Sequence, residues 1–205
     1  MGFLTILPMA FVMIAGPQIL SAIFLATSEN WRRNSAAYVL GAALSITLFV
    51  TLAYLLGGGG RDGGPSSDAV YIVILVLLVA AALRTFLKRD EAEPPKWMGK
   101  LQTASPRFSF RLGLLLLGIF PTDILTSVAV GSYLAAHGDA WVDAVPFIAL
   151  TLLFLATPSL LLLAFGDRAQ AFLPKARDWM NTNSWVVNEI VIGLFIAITI
   201  NSLAE

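Results

Sequence analysis

Asp123 has the most distinctive chemical setting in this 205-residue chain, because it lies near the middle of a long apolar stretch. A carboxylate at the centre of a membrane-spanning helix costs about 2.5 to 3.5 kcal/mol on insertion scales, so it must face protein or water. There it could bind a cation, carry a proton or hold a polar headgroup. It could also simply accept hydrogen bonds from backbone N–H groups near a helix break. The sequence favours a functional carboxylate over a structural one.

Two proline motifs bring further polar groups to a similar depth: GPQILS at residues 16–21 and FPTDILT at residues 120–126. Proline lacks an N–H and displaces the carbonyl four residues back, so each motif frees backbone polar groups inside hydrocarbon, and these groups need partners. The predicted substrate or proton site comprises Pro17, Gln18, Ser21, Pro121, Thr122, Asp123, Thr126, Ser127 and Glu189.

Glu189 is the least telling member of this set, since it lies one turn into the last apolar stretch and can reach the membrane interface. A further proline, Pro158, lies between Thr157 and Ser159 in the fifth apolar stretch. By itself it predicts a tolerated kink whose freed carbonyl is satisfied by these hydroxyls. Three kinked helices together favour a central polar seam.

The residue types that are missing exclude several function classes. The chain has no Cys and a single His, so it offers no thiol nucleophile, disulfide, iron-sulfur cluster or histidine-based metal cage. It also lacks a Gly-x-Ser-x-Gly elbow, and we therefore expect neither an enzyme nor a bound cofactor or metal. With 13 basic and 13 acidic residues the net charge is zero, so no nucleic-acid partner is expected.

The elements that must position these residues are membrane helices. The chain is 58% hydrophobic and only 13% charged, with a mean hydropathy of +0.80, which is typical of an integral membrane protein. A bilayer core of about 30 Å requires roughly 20 apolar residues for each helix. Six stretches meet this requirement: Phe3–Thr27, Ala36–Leu56, Ala69–Leu87, Phe110–Ala136, Val145–Phe165 and Trp185–Leu203.

The distribution of basic residues predicts the orientation. All Lys and Arg residues except Arg61 fall on one side of the six predicted spans. Because cytoplasmic loops carry an excess of Lys and Arg, that side is predicted to be cytoplasmic and both termini to lie outside. The predicted location is the cytoplasmic (inner) membrane of a prokaryote, with membrane lipids as partners.

The two proline motifs also predict an internal duplication, since they lie about half the chain apart. Residues 1–87 and 110–205 would each hold three spans, joined by a cytoplasmic linker at 88–109. An odd number of crossings inverts the second copy relative to the first. The predicted fold is therefore an all-α integral membrane protein of six transmembrane helices in two inverted three-helix repeats. Inverted repeats with proline-interrupted helices are typical of transporters with a midplane site. Chance similarity of two apolar helices is the alternative.

These features resemble the lysine-exporter (LysE) superfamily: six spans, a Gly-Pro pair in the first, a Trp-Arg-Arg turn before a small-residue second span, and a second proline motif opening the second half. Within it the chain most resembles the glycolipid-addressing protein (GAP) family, or sulfolipid-addressing (Sap) type. The stretches that carry this resemblance are PPKWMGKLQTASP, SFRLGLLLLGIFPTDILTSVAVGSYLA, ATPSLLLLAFGDRAQAFLPKARDWM and the closing helix after NTNSW.

The resemblance implies transport, or assisted transport, of envelope glycolipids across the cytoplasmic membrane, alongside a larger lipid exporter. One departure bears on the site. Relatives tend to read Asn-Pro-Lys-Asn where this chain has Phe-Pro-Thr-Asp at 120–123, so a basic residue is missing and an acid occupies the last position. An acid suits a cation, a proton or sugar hydroxyls better than an anionic group.

Three functional hypotheses follow. The first is a transporter of a lipid or amphipathic envelope molecule, because apart from Asp123 the spans offer mostly neutral polar groups that can meet a headgroup. The second is a proton-coupled exporter of amino acids or small cations through Asp123. The third is a non-transporting scaffold that recruits a lipid export complex through its basic cytoplasmic loop. Small residues at Ala37, Gly41 and Ser45 further predict close helix packing or a homo-oligomer.

Overall fold

The computed structural model of the protein describes residues 6–14, 16–57 and 101–183, together with the single positions 186 and 193. The predicted third span at 69–87, most of the predicted linker and Glu189 lie outside the described residues. Apart from positions 186 and 193, so does the predicted sixth span at 185–203. The described parts of the chain contain helices and no strand.

The helices are α1 (Met9–Ile14), α2 (Pro17–Ala26), α3 (Trp31–Gly57), α4 (Pro106–Ile119), α5 (Pro121–His137), α6 (Val145–Phe165) and α7 (Asp167–Thr182). A 3-10 turn at Trp141–Ala144 leads directly into α6. The central core lies where α3 packs against α4 and α5, with α1, α2 and α6 beside them.

Two described helical stretches are long and apolar enough to cross a membrane, Trp31–Leu56 and Trp141–Phe165. They coincide with the predicted second and fifth spans. Helices α4 and α5 also meet this test as a pair, but they are bent by 69° where they join. The described residues therefore form a helical membrane protein with two clear spans. The bent pair of α4 and α5 is a third span if the two helices are counted together.

The predicted first span is not a continuous helix. Its chain forms α1 and α2, and Gly16 between them has φ +88° and ψ −136°, a backbone conformation that L side chains rarely adopt. Pro17 is the first residue of α2, a position where the missing N–H costs nothing because it would have no partner within the helix. The Gly-Pro pair thus ends one helix and starts the next.

The predicted fourth span is also interrupted. Helix α4 begins at Pro106, where Ser105 Oγ caps it by accepting from the Phe108 N–H at 3.3 Å. It ends at Ile119, and Phe120 is extended with φ −64° and ψ 124°. A residue before proline is disfavoured from the helical region, so the helix stops there and restarts at Pro121.

Pro158 behaves differently from the prolines of the two motifs, since α6 continues through it. The hydroxyl of Thr157 donates to the Leu153 carbonyl at 2.8 Å, and that of Ser159 donates to the Ala156 carbonyl at 2.8 Å. The carbonyl that Pro158 leaves without a helical N–H donor is that of Phe154, four residues back, so these two bonds do not satisfy the freed carbonyl as the sequence predicts. The helix breaks therefore lie at the two motifs, and Pro158 adds no third break.

Helix α3 makes backbone-level contacts with α4 and α5 through glycines. A Cβ atom added at Gly41 would overlap the carbonyl oxygen of Phe110, and one added at Gly113 would overlap the carbonyl oxygen of Tyr38. Gly131 of α5 meets α3 in the same way farther along. Gly41 thus makes the close helix contact that the small-residue spacing predicts.

Side chains also tie the two ends of α3 to distant parts of the chain. At its first turn the buried Asn34 amide donates to Ser28 Oγ at 2.8 Å and to the Ala104 carbonyl at 2.9 Å. Near its other end the hydroxyl of Tyr54 donates to the Asp139 carbonyl at 3.0 Å. Because these bonds span 70 and 85 residues, they fix the two described halves against each other at both ends of α3.

The Asn34→Ala variant is expected to lower the free energy of unfolding by about 1 to 3 kcal/mol, because it removes the buried amide that donates to Ser28 Oγ and to the Ala104 carbonyl. Thermal unfolding in detergent measures the effect. Asn30→Ala is the matched control, since Asn30 is exposed in the same turn and its side chain makes no hydrogen bond within the described ranges. Equal unfolding midpoints for the two variants would show that the Asn34 bonds contribute nothing.

Candidate functional site

Buried polar side chains line the contact between the first turns of α2 and α5. Gln18 is 1% exposed, while Ser21, Asp123 and Ser127 are fully buried. In a helix, residues three or four apart lie on one face, so Gln18 with Ser21 and Asp123 with Ser127 form two facing pairs. Together with Thr126 they form what we call the proline-break cluster.

A hydrogen bond joins the two proline motifs. The Gln18 Nε2 donates to Asp123 Oδ2 at 2.5 Å, across 105 residues of sequence. An amide N–H is the natural partner of a carboxylate, which can only accept when ionised. The structure thus brings Asp123 into direct contact with the Pro17 motif.

Tyr38 of α3 completes this contact and was not predicted from the sequence. Its side chain is fully buried, and its hydroxyl donates to the backbone carbonyl of Gln18 at 2.9 Å. The signal that could have indicated it is a tyrosine inside an otherwise apolar span, because a buried phenol hydroxyl requires a partner. Through this bond α3 holds the first turn of α2 in place.

Two hydroxyls of the predicted site have a local role. Ser21 Oγ donates to the Pro17 carbonyl at 2.6 Å, and Thr126 Oγ1 donates to the Thr122 carbonyl at 2.7 Å. Each bond runs to the carbonyl four residues back, where Ser and Thr side chains often bond within helices. These hydroxyls satisfy the backbone next to each break, so their protons are not directed at the carboxylate.

Three buried oxygens of the cluster have no hydrogen-bond partner within the part of the chain that the structure describes: Gln18 Oε1, Asp123 Oδ1 and Ser127 Oγ. Buried polar atoms are normally paired, and unpaired ones mark a strained or functional position. No cationic side chain among the described residues forms an ion pair with Asp123. The cluster therefore has acceptor capacity to spare and, among those residues, no positive partner.

The remaining predicted site residues lie elsewhere. Thr122 is exposed, because one residue along a helix turns the side chain by about 100° away from the face that carries Asp123. Thr122 takes part in the cluster only through its backbone carbonyl, which accepts the hydrogen bond from Thr126 Oγ1. Pro17 is half-buried at the start of α2, and Pro121 is the first residue of α5. Glu189 lies outside the described residues.

The chemistry available to the cluster follows from its donors and acceptors. One carboxylate, one amide and a hydroxyl can hold a proton, a small hard cation or the hydroxyls of a sugar. Among the described residues no group of three or more His, Asp or Glu is placed to hold a metal ion. Because Asp123 lies in the first turn of α5, the partial positive charge of that helix terminus also favours the carboxylate there.

Comparison with known families places this arrangement in context. A family model described as "Sap, sulfolipid-1-addressing protein" matches residues 6–202. The match spans both proline motifs and every residue of the proline-break cluster. Comparison with curated proteins and with solved structures gives no match.

Proposed function

Because the chain belongs to the sulfolipid-1-addressing protein (Sap) family, we propose that it is a membrane transporter of the lysine-exporter superfamily type. It moves, or helps to export, a lipid or amphipathic envelope molecule across the cytoplasmic membrane. Family membership supports a role in the addressing of lipids or glycolipids. The observation that carries transport is the Gln18–Asp123 hydrogen bond, because it joins two interrupted helices at a buried polar site, as in transporters with a midplane site.

The proposal includes the six-span architecture. Residues 1–87 and 110–205 form two inverted repeats joined by the cytoplasmic linker 88–109, and both termini lie outside. Support comes from the two helix breaks, since each is followed by a half-helix that begins at the proline of its motif, Pro17 in α2 and Pro121 in α5. The two half-helices meet through Gln18 and Asp123 rather than through unrelated surfaces.

The cluster suits a hydroxylated headgroup. Asp123 Oδ1 and Gln18 Oε1 are free to accept hydrogen bonds from sugar hydroxyls, and Ser127 can both donate and accept. The acyl chains can stay in the surrounding lipid, while the headgroup supplies the hydrogen-bond partners that the closed cluster lacks. Because Asp123 is fully buried here, the headgroup enters only when α2 and α5 separate.

A second candidate function is proton-coupled export of amino acids or small cations. The observation that favours it is the unpaired Asp123 Oδ1 in a site with no cationic partner among the described residues. An isolated ionised carboxylate is costly in such surroundings, so gain of a proton or a cation would stabilise the closed cluster. Cargo release would then be linked to loss of that proton.

The scaffold hypothesis remains a separate proposal. In that case the chain recruits a larger lipid exporter through its basic loop, and a second copy of the chain is a further possible partner. Deletion of residues 88–100 would abolish such a function, whereas substitution of Asp123 would leave it intact. If the cluster itself carries transport, substitution of Asp123 would instead reduce the activity.

Purified protein in liposomes is expected to speed the movement of a fluorescent glycolipid analogue between leaflets relative to protein-free liposomes. The Gln18→Ala variant is expected to slow this movement by about tenfold, because it removes the partner of Asp123 and a headgroup ligand. Thr122→Ala is the matched control, since that side chain is exposed on α5. Efflux of a small solute coupled to protons, without movement of the glycolipid, would instead support the second candidate.

A further inference from the structure

A cavity lies away from the proline-break cluster, at the other end of α2. Its volume is about 350 Å³, and this open cavity is bordered by the end of α2, the start of α3, the end of α6 and the first turns of α7. Thr27, Ser28 and Gln170 form its polar walls, while Leu162 and Trp31 contribute apolar surface. Gln18 lies nine residues before Thr27, so about 13 Å of helix separates the two sites.

The level of this cavity in the membrane follows from the ends of the two apolar helices that border it. Trp31 is the first residue of one apolar span, and Leu162 lies in the last turn of the other, Trp141–Phe165. The cavity is therefore placed where two spans end, which is the level of the lipid headgroups. Directly after that level the backbone turns at Gly166, with φ +49°, and α7 begins.

Helix α7 has the pattern of a helix that lies in the membrane interface. One face is buried against α2 and α6 through Ala169 and Leu173. A second stripe, about 100° round the helix from these two residues, exposes cationic and aromatic side chains: Arg168, Phe172, Lys175 and Trp179. Basic residues interleaved with aromatic ones bind anionic headgroups and insert at the acyl boundary.

One hydrogen-bond donor in the cavity wall is unused. Within the described residues the indole N–H of Trp31, which lines the cavity, makes no hydrogen bond. The Arg32 guanidinium lies 5.2 Å from the centre of the Trp31 ring, so a positive charge borders the same wall. A neutral donor and a neighbouring cation beside apolar wall residues suit an anionic group that is attached to a hydrocarbon chain.

We propose that this cavity binds the anionic headgroup of a membrane lipid, with the acyl chains lying along the lipid-facing side of α6. On the proposed orientation the lipid belongs to the cytoplasmic leaflet. The inference goes beyond the proposed function, because a chain that does not transport lipid can still hold a headgroup here. The two proposals therefore fail separately.

The absence of cysteine from the chain allows a clean test by single-cysteine labelling. Gln170→Cys places a thiol in the wall of the cavity, and Ala171→Cys places one on the neighbouring residue of α7, which is also exposed but does not line the cavity. Each full-length variant is placed in nanodiscs of phosphatidylcholine alone or with added phosphatidylglycerol. The rate of maleimide labelling is then measured.

Phosphatidylglycerol is expected to slow labelling of Gln170→Cys by about tenfold, which corresponds to a site about nine-tenths occupied, and to leave Ala171→Cys unchanged. Adding Arg32→Gln should restore fast labelling of Gln170→Cys. Soluble glycerol phosphate in phosphatidylcholine nanodiscs should have no effect. The proposal is overturned if both thiols respond equally, if neither responds, or if glycerol phosphate alone protects, since the ligand would then be a soluble anion.

Discussion

The Asp123→Asn variant is expected to slow lipid transport by about ten- to a hundredfold while the protein stays folded. Asparagine has nearly the same shape, and its Oδ1 can still accept from Gln18 Nε2, so the contact between α2 and α5 is retained. What is lost is the charge and with it the stronger hydrogen bonds of a carboxylate, worth about 1.5 to 3 kcal/mol. Initial rates in the liposome assay measure the loss.

The unfolding midpoint of Asp123→Asn should stay level or rise, because burying a neutral amide costs less than burying a carboxylate. This separates a functional carboxylate from a structural one. A variant that transports at the normal rate but unfolds at a lower temperature would assign Asp123 to helix packing and remove the proposed role of the cluster. Ser127→Ala, one turn along the same face, is expected to have a smaller effect on the rate.

Gly113→Ala is expected to lower the free energy of unfolding by up to about 2 kcal/mol and to reduce the yield of folded protein. Its Cβ would overlap the Tyr38 carbonyl oxygen and lie 3.0 Å from the Ala42 backbone nitrogen, so backbone would have to move. Overpacking of a tight contact typically costs 1 to 3 kcal/mol. The gain in helix propensity from Gly to Ala, about 1 kcal/mol, offsets only part of this cost.

Gly118→Ala is the matched control in the same helix. The atom nearest to its added Cβ is Ser45 Oγ at 2.8 Å, a side-chain atom that can rotate away. This variant is therefore expected to be neutral or slightly stabilising. The two variants are compared by thermal unfolding in the same detergent. A larger loss at Gly118 than at Gly113 would contradict the packing of α3 against α4.

The lengths of the apolar stretches predicted the positions of α3 and α6 well. They did not reveal the breaks in the predicted first and fourth spans. The predicted span at 145–165 coincides with α6, because that segment has no charged residue and its charged flanks mark both ends. Helix α3 begins at Trp31, before the predicted start at Ala36, since its first turns carry polar residues that a hydropathy criterion leaves out. Hydropathy also cannot distinguish a kink at Pro17 or Pro121 from a complete break. That outcome depends on Gly16 and on the extended Phe120.

The part of the site that could be predicted from residue types alone is the contact between Asp123 and Gln18. A lone acid in a span must find a polar partner, and the nearest amide in the matching motif, Gln18, supplies it. The placement of Thr122 and the role of Tyr38 were not predictable in this way, because they depend on helix rotation and on packing between distant segments. The resemblance to the Sap type, which rests on long diffuse motifs rather than on one site, is confirmed.

The glycine contacts of α3 have a consequence for motion. This helix is unbroken over 27 residues, and its backbone touches α4 at Gly113 and α5 at Gly131 with no room for a side chain between them. Sliding of α4 or α5 along α3 would drive neighbouring side chains into those gaps. Because α4 and α5 are both held against α3, an opening that admits a molecule to Asp123 is expected to move α2 about Gly16.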